Sequence, residues 1–311
     1  MARIAIEAAL GSGFGLIRRR PGAVLLWGLV YLALSAASFG LFGSYYLSLF
    51  THFAAAARSG ADMSPQAMNA MAPQIMAMQG LSWLMSLISL VVTTVLYCAV
   101  FRAILHPEQS RFGYLRLGAP ELLLFVLGIA AYIVVFVAAI PVVLVVALLA
   151  VALIAMHAAA AGVILAVLAG VAATVVLAWL ALRFSMVGPM MVADGKFRLF
   201  ESWVLTRGHA GALFVIAACP FLILIVAELI IAAVLMAAGV VVLSSAAGGL
   251  ANLPAFFSRP PSAVVAGMAP LLILAAVLWT PLMGCFIAVL GAPWARAYLD
   301  LTEPRPVAIA A

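Results

Sequence analysis

The chain has 311 residues, of which 68% are hydrophobic and 8% are charged. Soluble domains carry about 25% charged residues, so this composition excludes a water-soluble globule and predicts an integral membrane protein. The formal charge of +6 comes from 15 basic and 9 acidic residues. We interpret it as a topology signal, because Lys and Arg collect on the cytoplasmic side of membrane spans, and we predict no nucleic-acid partner.

Six apolar runs are long enough to cross a bilayer, for which a helix needs about 20 residues. They lie at about 22–43, 81–101, twice within 122–182, at about 212–243 and at about 265–292. The longer outer connections are 51–79, rich in Met and Ala, and 244–262, rich in Ser, Gly and Pro. The first of them can form a short interfacial helix after its Ser64-Pro65 start. The predicted fold is therefore all-α: a polytopic membrane protein with six transmembrane helices, joined on the inner side by interfacial amphipathic elbow helices.

The stretch 122–182 can hold two long spans or three short ones, and charge decides between them. With two spans that turn near His157–Gly162, thirteen of the 15 basic residues lie on one side of the membrane, and only Arg58 and Arg259 lie on the other. Three spans would break this asymmetry. We therefore predict two spans, a kink at Pro141 in the first, a bacterial inner-membrane location and cytoplasmic termini.

Three inner segments resemble one another, each of them basic or amphipathic and each leading into a span. They are 15–27, 114–125 and 204–215; the last two align Leu115 with Leu205 and Gly118 with Gly208. This pattern predicts a single membrane domain, 1–311, built from three repeats of an elbow and a helical hairpin. The repeat units are 1–105, 106–187 and 188–303, and a short disordered tail follows at 304–311.

The segment 196–214 is the most polar part of the chain and fits an interfacial helix. On a helical wheel one arc holds Phe197, Leu199, Phe200, Trp203 and Val204, and the polar side holds Arg198, Glu201, Ser202 and Thr206. We expect Asp194 to cap its start, Gly208 to end it and Arg198 to pair with Glu201. Such a helix anchors the next span or binds a headgroup or a membrane protein partner.

Arg102 and Arg183 each close a span, and more apolar residues follow before the polar loop. Long cationic side chains in this position reach towards headgroups, so these two arginines, with Arg198 and Arg207, are candidates for contact with membrane lipids, anionic phospholipid in particular. Pro189, directly after Gly188, predicts a broken helix end behind Arg183.

Glu228 stands alone in the apolar run of the fifth span, roughly 24 Å from its inner start if the run is helical. Carboxyl groups at such depth are costly and often functional. Two interpretations stay open: Glu228 couples protons or a substrate, or it makes a buried interhelical hydrogen bond. His157, at the outer turn, and Thr280 are the candidate partners.

The familiar motifs of enzymes are missing from the sequence. The four histidines, His52, His106, His157 and His209, lack metal-ligand spacing, and there is no Gly-x-Ser-x-Gly run or pair of carboxylates on adjacent turns. Cys98, Cys219 and Cys285 each lie alone in apolar sequence. We therefore predict no catalytic site, no metal site and no cofactor.

An arginine that closes a span, a Gly-Pro break and then "ESWVLTRG" resemble the membrane-domain family of glycerophosphoryl diester phosphodiesterases and related uncharacterised bacterial polytopic proteins. The matching Ser-Trp-x-Leu-Thr-x-Gly elbow is Ser202, Trp203, Leu205, Thr206 and Gly208. In the named enzymes this domain accompanies a soluble catalytic barrel, whose acidic metal site has no counterpart here. The resemblance thus implies an accessory or scaffold protein that acts on lipid or a membrane partner. The alternative is a small-molecule or lipid transporter that uses Glu228.

Overall fold

The computed structural model describes residues 4–59, 65–155, 159–196 and 198–302. Every regular element within these ranges is a helix. The α-helices are α1 (Ile6–Arg19), α2 (Pro21–Ser59), α3 (Pro65–Leu105), α4 (Ala119–Ala155), α5 (Ala159–Phe184), α6 (Val187–Asp194), α7 (Leu199–Leu205), α8 (Ala210–Ala247), α9 (Leu253–Phe257) and α10 (Pro261–Thr302). Short 3₁₀ helices lie at Arg111–Tyr114 and Leu250–Asn252.

Six helical segments in the described residues are long and apolar enough to cross a membrane, which confirms the predicted number of spans in a multi-pass membrane protein. They are Pro21–Gly43, Met78–Leu105, Arg111–Leu153, Ala160–Asp194, Ala210–Ala247 and Ser262–Thr302. The stretch 122–182 holds two of them, α4 and α5, as predicted. Pro141 lies inside α4, and His157 lies outside the described residues.

The predicted outer connection 51–79 is mostly helical. A helix does begin at Pro65, but it is the start of the long α3 and not a separate short interfacial helix, which corrects that expectation. α2 continues to Ser59, and α3 already begins at Pro65. Ala and Met are strong helix formers, so the helices extend well beyond the length that a bilayer requires. Proline suits the first turn of α3, because a backbone N–H at that position would have no intrahelical acceptor and proline lacks this group.

One compact unit comprises the described residues within 1–13, 97–218 and 291–311. Its packed core joins Met186, directly before α6, and Met190 of α6 with Leu213 and Ile216 of α8 and with Ala297 of α10. The hairpin of α4 and α5 belongs to this unit, and most of its large apolar side chains are exposed. Such a surface suits lipid, which solvates apolar side chains as well as a protein core does.

The second unit comprises the described residues within 14–96 and 219–290. In it α2 and α10 approach closely at two glycines: a Cβ at Gly28 would overlap the carbonyl oxygen of Thr280, and one at Gly284 would overlap that of Val24. Small residues permit this backbone approach between membrane helices. The three predicted repeat units, 1–105, 106–187 and 188–303, stay a prediction.

Candidate functional site at the α5–α7 elbow

The predicted helix over 196–214 is divided into separate elements. α6 ends at Asp194, and Gly195 follows in the left-handed conformation with a φ of 66°. α7 begins at Leu199 after Arg198, which makes no side-chain cap. The prediction that Asp194 caps the start of this helix is therefore wrong, because Asp194 closes the preceding one. Gly208 has a φ of +83°, which confirms its predicted left-handed role between α7 and α8.

Ser202 and Thr206 face the protein, which corrects their predicted place on the aqueous side of the elbow. Both residues are buried. The Ser202 hydroxyl donates to the carbonyl oxygen of Arg183 at 2.9 Å, and the Thr206 hydroxyl lies 3.3 Å from the same oxygen. The last carbonyls of a helix lack intrahelical donors, so the Ser202 hydroxyl satisfies the end of α5. The single proton of the Thr206 hydroxyl has a nearer acceptor in the carbonyl oxygen of Ser202, at 2.9 Å.

The Arg183 side chain completes the connection in the other direction. Its Nη1 donates to the carbonyl oxygen of Thr206 at 3.2 Å. Its guanidinium carbon lies 5.4 Å from the ring centroids of Trp179 and of Trp203, and these two indoles meet edge-on, with centroids 5.1 Å apart. Cation–π contacts of this kind contribute about 0.5–2 kcal/mol each. Arg183 Nε is buried and has no hydrogen-bond partner among the described residues.

Each residue of the Ser-Trp-x-Leu-Thr-x-Gly run thus has a place in this connection. The Ser202 hydroxyl binds the end of α5, the Thr206 carbonyl oxygen accepts from Arg183, and Trp203 packs against the Arg183 guanidinium. Leu205 packs against the core of α6 and α8, and Gly208 supplies the turn. Together these contacts fix the orientation of α7 against α5.

The outward face of α7 is apolar. Phe200 is 80% exposed and Val204 is 70% exposed. Arg207, two residues after the end of α7, is exposed, and its backbone N–H donates to the carbonyl oxygen of Val204 at 3.2 Å, in a turn next to this face. Among the described residues the Arg207 side chain has neither a hydrogen bond nor an ion pair. The outward face therefore combines apolar groups with one available cation.

Arg198 is less available than Arg207 for contact with a lipid headgroup. Its Nη1 lies 3.1 Å from an oxygen of Glu201, which confirms the predicted pair, and 3.6 Å from an oxygen of Asp194. Two carboxylates thus already neutralise this guanidinium. Phe197, which the sequence places on the apolar arc, lies outside the described residues.

Arg102 is not accessible for the headgroup contact predicted for it. Its side chain is buried, with a relative residue exposure of 6%, and is paired with Glu121 of α4, which is 3% exposed. Arg102 Nη1 also donates to the carbonyl oxygen of Tyr114 at 2.6 Å, and Glu121 accepts from the backbone N–H of Gly118 at 3.0 Å. This network joins the end of α3 to the start of α4.

Glu228 is exposed on α8 and has no hydrogen bond or ion pair with any described residue. Its predicted partner Thr280 instead donates its hydroxyl to the carbonyl oxygen of Ala276 at 2.7 Å, within α10. The other candidate, His157, lies outside the described residues. The described residues therefore do not bring the predicted intramembrane residues together.

Sequence reasoning missed Trp179 and Glu121. Trp179 lies one helical turn before Arg183, a spacing that brings side chains together. In the sequence, however, nothing distinguishes it from the other apolar residues of the span. Glu121 begins α4, where an acidic residue is common on account of the helix dipole. Only the fold brings it to Arg102.

Comparisons of this chain with protein-family models, with curated proteins and with solved structures found no match. The resemblance to the phosphodiesterase membrane-domain family therefore stays a prediction. Within the part of the chain that the structure describes, no group of three or more His, Cys, Asp or Glu side chains is placed to hold a metal ion.

Proposed function

We propose that this chain is an accessory protein of a bacterial inner membrane that holds anionic phospholipid against α7 and has no catalytic site of its own. The observation that carries the proposal is the outward face of α7, where the exposed Phe200 and Val204 lie beside Arg207. Both termini are placed in the cytoplasm, because thirteen of the 15 basic residues then lie on the inner side.

The chemistry of this face suits the headgroup region. A large apolar side chain gains roughly 1.5–3 kcal/mol when it is fully removed from water, so Phe200 and Val204 favour the acyl boundary. A cation beside them attracts an anionic headgroup, at about 1 kcal/mol for each residue near the surface. A rigid connection to α5 through Arg183 keeps this face turned outward, so little orientational freedom is lost on binding.

The alternative function, transport of a small molecule or lipid through Glu228, has less support. A coupling carboxyl is expected to line a polar path together with other polar groups. Glu228 has no polar partner among the described residues. The Thr280 hydroxyl donates its proton to the carbonyl oxygen of Ala276 in its own helix.

Native mass spectrometry of the chain released from phosphatidylglycerol-containing nanodiscs tests the proposal. We expect bound phosphatidylglycerol in the wild type and about fivefold weaker retention in Arg207→Ala, which corresponds to about 1 kcal/mol. The matched control is Arg198→Ala: its guanidinium is already paired with Glu201 and Asp194, so the loss should be smaller. Equal retention by wild type and Arg207→Ala would leave α7 as an anchor without a headgroup site.

A further inference from the structure

Glu228 occupies the middle of α8, a helix of 38 residues from Ala210 to Ala247. Residues 213–227 before it and 229–243 after it carry no charge. Either helix end is roughly 27 Å away at 1.5 Å per residue, and a glutamate side chain reaches only a small part of that distance. Glu228 therefore cannot place its carboxyl group among the headgroups by extending along the helix.

The carboxyl group lies on an exposed stripe of α8. The stripe consists of Phe221, Ile225, Glu228, Ala232 and Met236, which recur at the spacing of one helix face and are all exposed. Leu224, at one edge of this stripe, is buried, and so is Gly239, which follows Met236 on the same face and ends the exposed stretch. The stripe is thus a continuous outward surface with one polar group at its centre.

A carboxyl group that meets only hydrocarbon is costly, because nothing there replaces its hydrogen bonds to water. No described residue supplies such a bond to Glu228. The group is stabilised if a second membrane segment covers the stripe and brings a hydrogen-bond donor or a positive charge to this depth.

Charge complementarity identifies the kind of segment. The described Lys and Arg residues of this chain lie in loops or near helix ends, such as Arg102, Arg183 and Arg296. A second copy packed on the same stripe would therefore bring a carboxyl group against a carboxyl group; two carboxylates repel each other, and they can share a hydrogen bond only if one of them carries a proton. A cation supplies both the opposite charge and hydrogen-bond donors. We propose that the α8 stripe docks a transmembrane helix of a different protein that carries a lysine or arginine near its middle. This inference concerns another helix than the lipid face of α7 and does not depend on it.

Photo-crosslinking in the native membrane tests the docking directly. A benzoylphenylalanine at Ala232, one turn from Glu228, is expected to form an adduct with one protein whose spanning segment has a Lys or Arg near its centre. The matched control is a benzoylphenylalanine at Val234, which is exposed on the other side of α8. We expect adduct formation only at 232, and a loss of about fivefold or more in Glu228→Leu, as for one polar contact between membrane helices.

Three results would overturn the proposal. They are an adduct between two copies of this chain, an adduct with lipid alone, and a partner that lacks a mid-span cation. An adduct yield that Glu228→Leu leaves unchanged would also do so, provided that the variant elutes like wild type in size-exclusion chromatography.

A defined probe separates the charge requirement from the identity of the partner. In proteoliposomes, energy transfer between labelled full-length chain and a polyleucine spanning peptide with one central lysine should indicate about fivefold tighter association than with an all-leucine peptide. Glu228→Leu should abolish the difference, and Glu228→Gln should retain part of it by hydrogen bonding. Equal association of the two peptides with the wild type would contradict the proposal.

Discussion

The Arg183 guanidinium touches two indole rings and one backbone carbonyl, and the carbonyl of the same residue accepts hydrogen bonds from α7. A single residue thus joins the end of α5 to α7 through both its side chain and its backbone. Arginine suits this position because its guanidinium is planar and stacks on aromatic faces, whereas lysine carries a compact, strongly hydrated charge.

Arg183→Lys should lower stability by about 1–2 kcal/mol, because the stacked contacts with Trp179 and Trp203 are lost while the charge is kept. The measurement is thermal unfolding in detergent, followed by tryptophan fluorescence. Arg198→Lys is the control, since this exposed pair contributes little. An Arg183→Lys midpoint equal to that of wild type would contradict the importance of the stacking.

The buried pair of Arg102 and Glu121 gives a prediction with an internal control. Arg102→Leu leaves the Glu121 carboxylate buried without its partner, which typically costs about 3–5 kcal/mol. The double variant Arg102→Leu/Glu121→Leu removes both charges and should recover much of that loss. Unfolding midpoints of the single and double variants test this coupling; a double variant less stable than Arg102→Leu alone would argue against a mutually compensating pair.

Among the helices, α7 differs most from its prediction. The wheel separates its apolar residues from its polar ones correctly, but it assigns the polar side to water, because periodicity does not reveal which side meets protein. The Arg183 carbonyl near the end of α5 requires a donor, and the Ser202 hydroxyl provides it, while the Thr206 hydroxyl lies 3.3 Å from the same oxygen. Both hydroxyls are therefore buried, and Phe200 and Val204 are turned outward.

The contact of α2 with α10 depends on Gly28 and Gly284, where a Cβ would overlap a carbonyl oxygen of the opposite helix. Gly28→Ala should separate the two helices locally and reduce stability by a few kcal/mol, as overpacking does. Gly40→Ala is the matched control in α2, because a Cβ there meets nothing within 4 Å, and alanine favours the helix by about 1 kcal/mol. If the two variants unfold at the same temperature in detergent, the close approach is not important for stability.

For the whole chain, hydrophobic runs and charge asymmetry were enough to predict an all-helical protein with six spans. The number of spans can be predicted in this way because a span requires only a long enough run of apolar residues. The sequence allows a short helix after Ser64 and Pro65, but hydropathy does not reveal that this helix continues into the second span as α3 or that α2 continues to Ser59. The pairing of Arg102 with Glu121 was missed because it depends on how α3 and α4 pack together.

The depth of α7 in the bilayer is the most direct test of the proposed lipid face. With the three native cysteines replaced by alanine, a nitroxide is placed at Phe200→Cys or at Glu201→Cys in the full chain, reconstituted in vesicles containing phosphatidylglycerol. We expect the label at 200 to collide mainly with oxygen dissolved in lipid and the label at 201 to collide mainly with a water-soluble nickel chelate. If the nickel chelate reaches both positions equally, α7 lies in water and the proposed lipid face is contradicted.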